Sequence, residues 1–239
     1  MTYALFHMWE PFRKQIIASH NFYVEQAQKR LLSQFQNMEA EADKYGEEWL
    51  NSHSHNFDPD RHDPAHFQEQ AYNESIEFYQ MLDDMLNRTR LSVVAGIFHE
   101  WDKQLRGWIL TEINHWNYGD EIKKAIWKAN FGDIIDLLEA FDWSIRSRSY
   151  YTSLDRCRLV VNAYKHGNGP ALESIKTQHP EFIETFGNID SFYLKYADHT
   201  HLKVGGTHIT EFSDTIIEFW KDVPEYIHKK ESLNVPDWF

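Results

Sequence analysis

Cysteine is almost absent from this sequence, since Cys157 is the only one among 239 residues. A single cysteine excludes an intramolecular disulfide framework and is typical of proteins in a reducing compartment. Long apolar runs are also missing, and none approaches the roughly 20 residues that a membrane-spanning helix needs. The first ten residues lack the basic start and the apolar core of a signal peptide. We therefore expect a cytoplasmic protein with no membrane partner.

Positive charge is scarce, because 24 Lys and Arg residues face 37 Asp and Glu residues and leave a formal net charge of −13. This balance opposes non-specific binding to nucleic acid, which is a polyanion. Cations are nevertheless concentrated between Ser144 and His166, where Asp155 is the single acidic residue. They are Arg146, Arg148, Arg156, Arg158 and Lys165. A local cationic site permits selective contact with RNA or phosphate, and the alternative is a set of solvated arginines on a helix surface.

Motifs for nucleotide binding and nucleophilic catalysis are missing as well. The chain has no Walker loop, no Gly-x-Gly-x-x-Gly turn and no Gly-x-Ser-x-Gly elbow. The pair His99-Glu100 lacks a second histidine four positions after the first, where Lys103 stands, and this excludes a zincin helix. Cys157 has apolar neighbours, which favours a packed thiol over a nucleophile.

Histidine and aspartate are dense in one segment of the chain. The candidate ligands there are His53, His55, Asp58, Asp60, His62, Asp63 and His66. Imidazole and carboxylate groups bind divalent transition metals, but this spacing matches no closed structural-zinc pattern. A solvated loop over 51–63 is the favoured interpretation, and the pair His199 and His201 is interpreted in the same way. We therefore expect neither a metal nor a cofactor.

Hydrophobic periodicity predicts an all-α protein. A hydrophobic content of 42% argues against disorder, and an aromatic content of 15% suggests that large rings fill the gaps between helices. Apolar residues at three-to-four spacing predict two long N-terminal helices, over about 11–50 and 64–114. The second of these is long for a globular helix, so we expect a break near 87–92 or at Gly96.

Shorter elements follow in the second half of the chain. The pattern predicts helices over about 120–129, 133–141, 150–166, 171–178 and 211–226. Gly205 and Gly206 lie at the centre of the segment 202–209, which predicts a small β-hairpin near the C-terminus. We therefore expect a helical bundle in one domain, 1–239, in which the hairpin and last helix of 191–239 are appended to the same core.

The most organised polar feature is Arg158-Leu-Val-Val-Asn-Ala-Tyr-Lys-His166-Gly-Asn-Gly-Pro170. Arg158, Asn162 and His166 are spaced four residues apart, so a helix places all three on one face. Gly167 suits the position after a helix end, and Pro170 prevents the helix from continuing. The pattern predicts a helix that carries a polar stripe along a largely apolar element.

This helix resembles the signature helix of the HEPN superfamily, all-α proteins that include many metal-independent ribonucleases of toxin–antitoxin, antiviral defence and RNA-processing systems. The ending Asn162-Ala-Tyr-Lys-His166-Gly is similar to that of many uncharacterised relatives, and the segment 98–105 adds weaker support. The resemblance implies a HEPN-like domain, RNA as the substrate and a homodimer. Arg158, Asn162 and His166 would be catalytic. The residues expected to bind substrate are Arg146, Arg148, Arg156 and Lys165.

The resemblance also implies a reaction. His166 would take the proton from a ribose 2′-hydroxyl, which then attacks the adjacent phosphate. Arg158 would stabilise the charge on the pentacoordinate phosphorus, and Asn162 would orient His166 or bond a phosphate oxygen. His99 or Glu100 would orient His166 if their helix packs beside the signature helix. RNA suits this endoribonuclease mechanism better than DNA, because the reaction consumes the 2′-hydroxyl.

A non-catalytic interpretation uses the same residues. Asn162 and His166 would cap the helix end and hold the Gly167–Pro170 turn, while Arg158 pairs with Asp155. Arg158 lies eight positions before His166, which is longer than the family spacing. This spacing and the acidic net charge favour an alternative function, a helical RNA-binding, protein-binding or sensor module with a regulatory protein partner.

Overall fold

The computed structural model describes residues 4–58, 60–61, 63–116, 119–184, 191–228 and 235–239. Most of these residues are helical, which confirms the all-α class. The helices, in chain order, are α1 Glu10–Arg30, α2 Met38–His53, α3 Pro64–Ile113, α4 Asp120–Lys128, α5 Phe131–Ala140, α6 Tyr151–His166, α7 Pro170–Gln178, α8 Ser191–Tyr196 and α9 Gly206–Asp222. The chain divides into two compact units, which are Met1–Val24 with Val93–Phe239, and Glu25–Ser92.

The helix predicted over 11–50 is two helices, so this prediction was wrong. A 3-10 turn over Leu32–Phe35 separates α1 from α2. The Ser33 hydroxyl donates a hydrogen bond to the Lys29 carbonyl at 2.7 Å, a local contact that competes with helical backbone pairing. The predicted loop over 51–63 is helical at its start, because α2 ends at His53 and a 3-10 turn follows over Ser54–Asn56.

The second long helix has no break, which corrects the expectation of one near 87–92 or at Gly96. Helix α3 runs for 50 residues. A glycine inside a helix costs only about 1 kcal/mol, and the buried neighbours Val94 and Ile97 anchor this stretch in the core. Gly96 instead permits a close approach, since a Cβ there would lie 2.3 Å from the Tyr23 hydroxyl of α1.

The unit Glu25–Ser92 is held together by α2 and the first part of α3. The rings of Tyr45 and Phe78 stack with centroids 4.5 Å apart. A Cβ on Gly46 would lie 2.9 Å from the Ala71 carbonyl oxygen. The two helices therefore approach so closely at this point that only glycine fits.

Aromatic side chains fill the core of the larger unit, as the composition suggested. Phe219 of α9 contacts Trp101 of α3 and Trp143, with ring centroids 5.1 Å apart in each pair. All three side chains are fully buried. The Phe219 ring also meets Tyr150, the residue that precedes α6, at 6.1 Å. These contacts fix where α6 begins against α3 and α9.

A two-stranded sheet is present, but its strands differ from the predicted hairpin. Strand β1, Ala4–His7, pairs in antiparallel orientation with β2, Tyr226–His228, and a bulge lies between Ala4 and Phe6. The segment 202–209 is no hairpin, because Gly206 begins α9, and the predicted last helix over 211–226 starts earlier and ends at Asp222. The pattern of Ile209, Phe212 and Ile216 buries one face of α9 in the core, which favours helix from its first turn.

Candidate functional site

Helix α6 ends as the sequence predicted. Its apolar face is buried through Leu154, Cys157 and Val161. Gly167 has φ 68°, a conformation that favours glycine, and its N–H donates to the Ala163 carbonyl at 2.9 Å. Pro170 then begins α7. The short turn between the two helices creates a concave surface beside the end of α6.

The predicted polar stripe lines this concave surface, which we call the α6 cavity. It has a volume of about 340 Å³. Its lining residues are Arg158, Leu159, Asn162, His166, Gly167, Gly169, Pro170, Ala171 and Ser174. His166 is exposed and Asn162 is half-buried. Neither side chain hydrogen-bonds to any residue that the structure describes, so the imidazole and the amide are available to a ligand. The capping role of the non-catalytic interpretation has no such hydrogen bond to support it.

Arg158 is the most constrained residue of the stripe. Its Nε donates to Asp155 Oδ1 at 2.6 Å, which is the pairing expected from the non-catalytic interpretation. Its guanidinium carbon lies 5.5 Å from the ring centroid of Phe131, the first residue of α5. The terminal Nη groups make no hydrogen bond within the described part of the chain. They remain free to donate to an anion while Nε keeps the side chain in place.

Two of the arginines expected to bind substrate are held by carboxylates from other helices. Arg146 pairs with Asp136 at 2.6 Å and with Glu139 at 2.5 Å, both on α5. The Nε of Arg148 lies 3.0 Å from Asp222 Oδ2, at the end of α9. These ion pairs neutralise much of the positive charge that the sequence concentrates here.

Asp222 binds two further donors besides Arg148. Its Oδ2 also accepts hydrogen bonds from the indole N–H of Trp143 and from the hydroxyl of Tyr150, each at 2.9 Å. Burial and the contact with Asp222 raise the pKa of the Tyr150 hydroxyl above its ordinary value. The whole cluster therefore fastens α9 to the start of α6.

The other two residues expected to bind substrate, Arg156 and Lys165, differ in whether a carboxylate holds them. Arg156 binds Glu211 of α9 through Nη2, and its Nη1 lies 3.6 Å from Glu181. Lys165 is exposed and forms no ion pair with any described residue. Lys165 is therefore the one predicted substrate-binding cation that its own chain leaves uncommitted in the described ranges.

His99 and Glu100 line a different cavity. This space of about 410 Å³ lies between α1 and α3 and includes His20, Tyr23 and Gly96. No hydrogen bond joins His99 or Glu100 to His166 among the residues described. The Glu100 carboxylate instead accepts from Gln104 at 3.2 Å. The structure thus does not bring these two expected orienting groups to the α6 cavity.

One electrostatic link joins the two regions. Burial lowers the pKa of His99, and the positive charges of Lys165 and Lys103 lower it further, while Asp102 opposes the change. Lys165 projects from α6 and is not part of the α6 cavity lining. Its positive charge therefore acts on His99 of α3.

Sequence reasoning missed the aromatic ring that supports Arg158, which belongs to Phe131. Phe131 follows Asn130, whose side chain accepts a hydrogen bond from the Asp133 backbone at 3.0 Å and caps α5. The capping box is readable from the sequence. The packing of Phe131 under Arg158 depends on tertiary structure, and no local signal indicates it.

The histidine-rich segment brings no metal ligands together in the part of the chain described. No group of three or more His, Cys, Asp or Glu side chains there is arranged to hold a metal ion. His53 closes α2, where its Nδ1 lies 2.9 Å from the Trp49 carbonyl oxygen. His62 lies outside the described residues.

Comparison with known proteins adds no assignment. The sequence matches no protein-family model and no curated protein, and the fold matches no solved structure. Among the described helices, none is long and apolar enough to cross a membrane. The HEPN resemblance therefore stays a prediction, and function has to be argued from the geometry of the α6 cavity.

Proposed function

We propose that this protein is a metal-independent endoribonuclease with a HEPN-like domain and that the α6 cavity is its reaction centre. One observation carries the proposal. Arg158, Asn162 and His166 line a single open cavity, and no described residue hydrogen-bonds to the imidazole or the amide. A cation, a neutral hydrogen-bonding group and a titratable base are the groups that phosphate transesterification needs without a metal.

The reaction follows from the roles of these groups. His166 accepts the proton of a ribose 2′-hydroxyl, and the 2′-oxygen forms a bond to the adjacent phosphorus. The phosphorus–O5′ bond breaks, and O5′ keeps the electron pair and takes a proton from water. The proton held by His166 then neutralises the hydroxide that remains. The products are a 2′,3′-cyclic phosphate and a 5′-hydroxyl end. The free Nη groups of Arg158 stabilise the charge that develops on the phosphate oxygens.

The spacing within α6 supports a homodimer. Eight residues of α-helix correspond to a rise of about 12 Å between Arg158 and His166. Arg158 also leans onto Phe131 and Asp155, away from a position beside His166. A second copy of α6 would overcome this separation if the two helices packed antiparallel about a two-fold axis near Asn162, because Arg158 of one protomer would then lie near His166 of the other.

The first experiment measures RNA cleavage by the purified full chain in EDTA. We expect cleavage by the wild type and its loss in His166→Ala and in Arg158→Ala. The matched control is His115→Ala, because His115 is exposed at the end of α3 and lies outside the α6 cavity. RNA cleavage by both cavity variants would show that the α6 cavity is not the reaction centre.

The dimer is tested by mixing two inactive variants. If each site combines His166 of one protomer with Arg158 of its partner, a refolded 1:1 mixture of His166→Ala and Arg158→Ala regains roughly a quarter of wild-type activity. Half of the dimers are then mixed, and each mixed dimer has one intact site. A mixture that stays inactive would place both groups of a site in one chain.

A second candidate function is binding without cleavage, as an RNA-binding, protein-binding or sensor module. The ion pairs of Arg146, Arg148 and Arg156 favour it, because these cations already have partners. In that case RNA binds and stays intact in wild type and in His166→Ala, and Arg158→Ala weakens the binding. Electrophoretic mobility and RNA integrity, measured on the same samples, separate the two functions.

The proposed cellular role is cytoplasmic, in defence or in a toxin–antitoxin system with a neutralising protein partner. A nuclease of this kind arrests growth when it is expressed without its partner. We expect induced wild-type protein to degrade cellular RNA and to stop growth, whereas His166→Ala does neither. Normal growth with intact RNA in both strains would count against this role.

A further inference from the structure

A third, smaller cavity lies where β1 leads into α1 against the end of α3. Its volume is about 220 Å³, and it is separate from the α6 cavity. We call it the Glu112 cavity. Its lining residues are His7, Trp9, Phe12, Trp108, Thr111 and Glu112. Aromatic side chains thus surround one acidic group in a cavity with the volume of about seven water molecules.

The carboxylate of this cavity is buried but only partly satisfied. Glu112 is 8% exposed. Its Oε2 accepts the backbone N–H of His7 at 2.8 Å and lies 3.9 Å from Nδ1 of the exposed His115. The other oxygen, Oε1, accepts no hydrogen bond from any residue in the described ranges. This oxygen is not sealed from solvent, so a positively charged ligand that enters the cavity can contact it directly.

Arg13, which follows the lining residue Phe12, does not supply that charge. The guanidinium of Arg13 donates to the carbonyls of Trp220, Lys221 and Val223 at the end of α9, at 3.2, 2.6 and 2.8 Å. Arg13 is also absent from the cavity lining. Among the described residues no Lys or Arg forms an ion pair with Glu112, and the exposed His115 is its one basic partner, so a cationic ligand can add charge neutralisation here.

The aromatic residues favour an organic cation over a metal ion. Trp9 is 61% exposed, and its indole ring meets no other ring among the described residues. Trp108 is buried and lines the same space. The faces of such rings attract ammonium groups that carry methyl substituents, and the attraction grows when water is excluded. A metal ion requires several oxygen or nitrogen ligands, and the described residues offer no such group here.

We propose that the Glu112 cavity binds a small organic cation with a methylated ammonium group, of about the size of choline. The Glu112 carboxylate neutralises the charge, while Trp9, Phe12 and Trp108 contact the methyl groups. This site is independent of the proposed nuclease reaction. Its ligand is a free small molecule, because the cavity holds only about seven non-hydrogen atoms.

The full chain is titrated with choline and with tetramethylammonium at constant ionic strength, and binding is measured by calorimetry and by NMR. The matched neutral probe is 3,3-dimethylbutan-1-ol, which has the shape of choline without its charge. We expect choline to bind with a dissociation constant on the order of 1 mM and the alcohol to bind at least about tenfold more weakly. Equal affinities, or no choline binding at about 20 mM, would overturn the proposal.

Variants assign the binding to this cavity. Glu112→Gln removes the charge but keeps an oxygen that accepts the His7 N–H, and we expect choline affinity to fall about tenfold. Trp9→Ala removes an exposed ring and should weaken binding by a similar factor without affecting folding. The control is Trp127→Ala on α4, where the tryptophan is 52% exposed and outside the cavity. Unchanged affinity in Trp9→Ala would overturn the proposal even if Glu112→Gln did not fold.

Discussion

Replacement of Arg106 by methionine tests how much its buried guanidinium stabilises the packing of α3 against the end of α4. Arg106 is buried on α3, and its Nε donates to Asp102 Oδ2 at 2.8 Å. Its Nη1 donates to the carbonyls of Ile126 and Ala129, at the end of α4, at 2.5 and 2.9 Å. Phe131 begins α5 immediately after this point. The guanidinium therefore fixes the chain that places Phe131 under Arg158.

The expected loss of stability in Arg106→Met is about 3–4 kcal/mol. A hydrogen bond to a charged group contributes about 1.5–3 kcal/mol, and the three bonds share one guanidinium and are not additive. Breaking a buried ion pair typically costs about 3–5 kcal/mol. Asp102 has a side chain 24% exposed, so it regains some hydration when Arg106 is lost, which places the expectation at the lower end. For a chain of 239 residues the melting temperature should fall by about 6–16 °C.

Urea denaturation followed by circular dichroism measures this change. The control is Lys124→Met, because Lys124 is exposed and makes a single ion pair with Glu121 on α4. That variant should stay within about 0.5 kcal/mol of wild type. A loss below about 1 kcal/mol in Arg106→Met would refute the reasoning, since the buried hydrogen bonds would then have no net effect.

Three further predictions concern His20, the contact between Gly96 and Tyr23, and Cys157. Burial lowers the pKa of His20, against the opposing effects of its Ser213 hydrogen bond and of a nearby aspartate. The unfolded chain therefore binds more protons below about pH 6.5, and the unfolding free energy decreases as the pH is lowered. In His20→Gln, the unfolding free energy should depend less on pH in that range, and an unchanged slope would contradict this. Gly96→Ala should destabilise the wild type, because the added Cβ meets the Tyr23 hydroxyl, but it should be neutral or stabilising in the Tyr23→Ala background. A double-mutant cycle measured by thermal unfolding tests this. Burial also raises the pKa of Cys157, so a thiol reagent should label it only as fast as the protein unfolds, and immediate labelling of native protein would show exposure.

Local signals account for the parts of the fold that the sequence predicted well. The end of α6 follows from Gly167 and Pro170, and the shared face of the polar stripe follows from helical spacing alone. The length of α3 follows from its apolar periodicity, but its continuity at Gly96 does not. Whether a glycine breaks a helix or admits a neighbour depends on what packs against it, which here is Tyr23.

Long-range pairing explains what could not be predicted. Arg148 finds its carboxylate 74 positions later, at Asp222, and no local pattern identifies that partner. Strand β2 has three residues and pairs with β1 at the other end of the chain, so neither strand has a recognisable signal of its own. Arg106 has i,i+4 spacing to Asp102, which suggests an exposed pair, whereas tertiary packing buries it. Charge on a helix thus predicts possible pairs but not their burial.

The chemistry of the cleaved ends tests the central claim most directly. A short RNA that the protein cuts is compared with the same RNA carrying one 2′-deoxyribose at the cleaved position, both in EDTA. If the α6 cavity activates the 2′-hydroxyl through His166, the RNA yields a 2′,3′-cyclic phosphate and a 5′-hydroxyl, and the deoxy substrate stays intact at that position. Cleavage of the deoxy substrate, or 5′-phosphate products, would contradict the account.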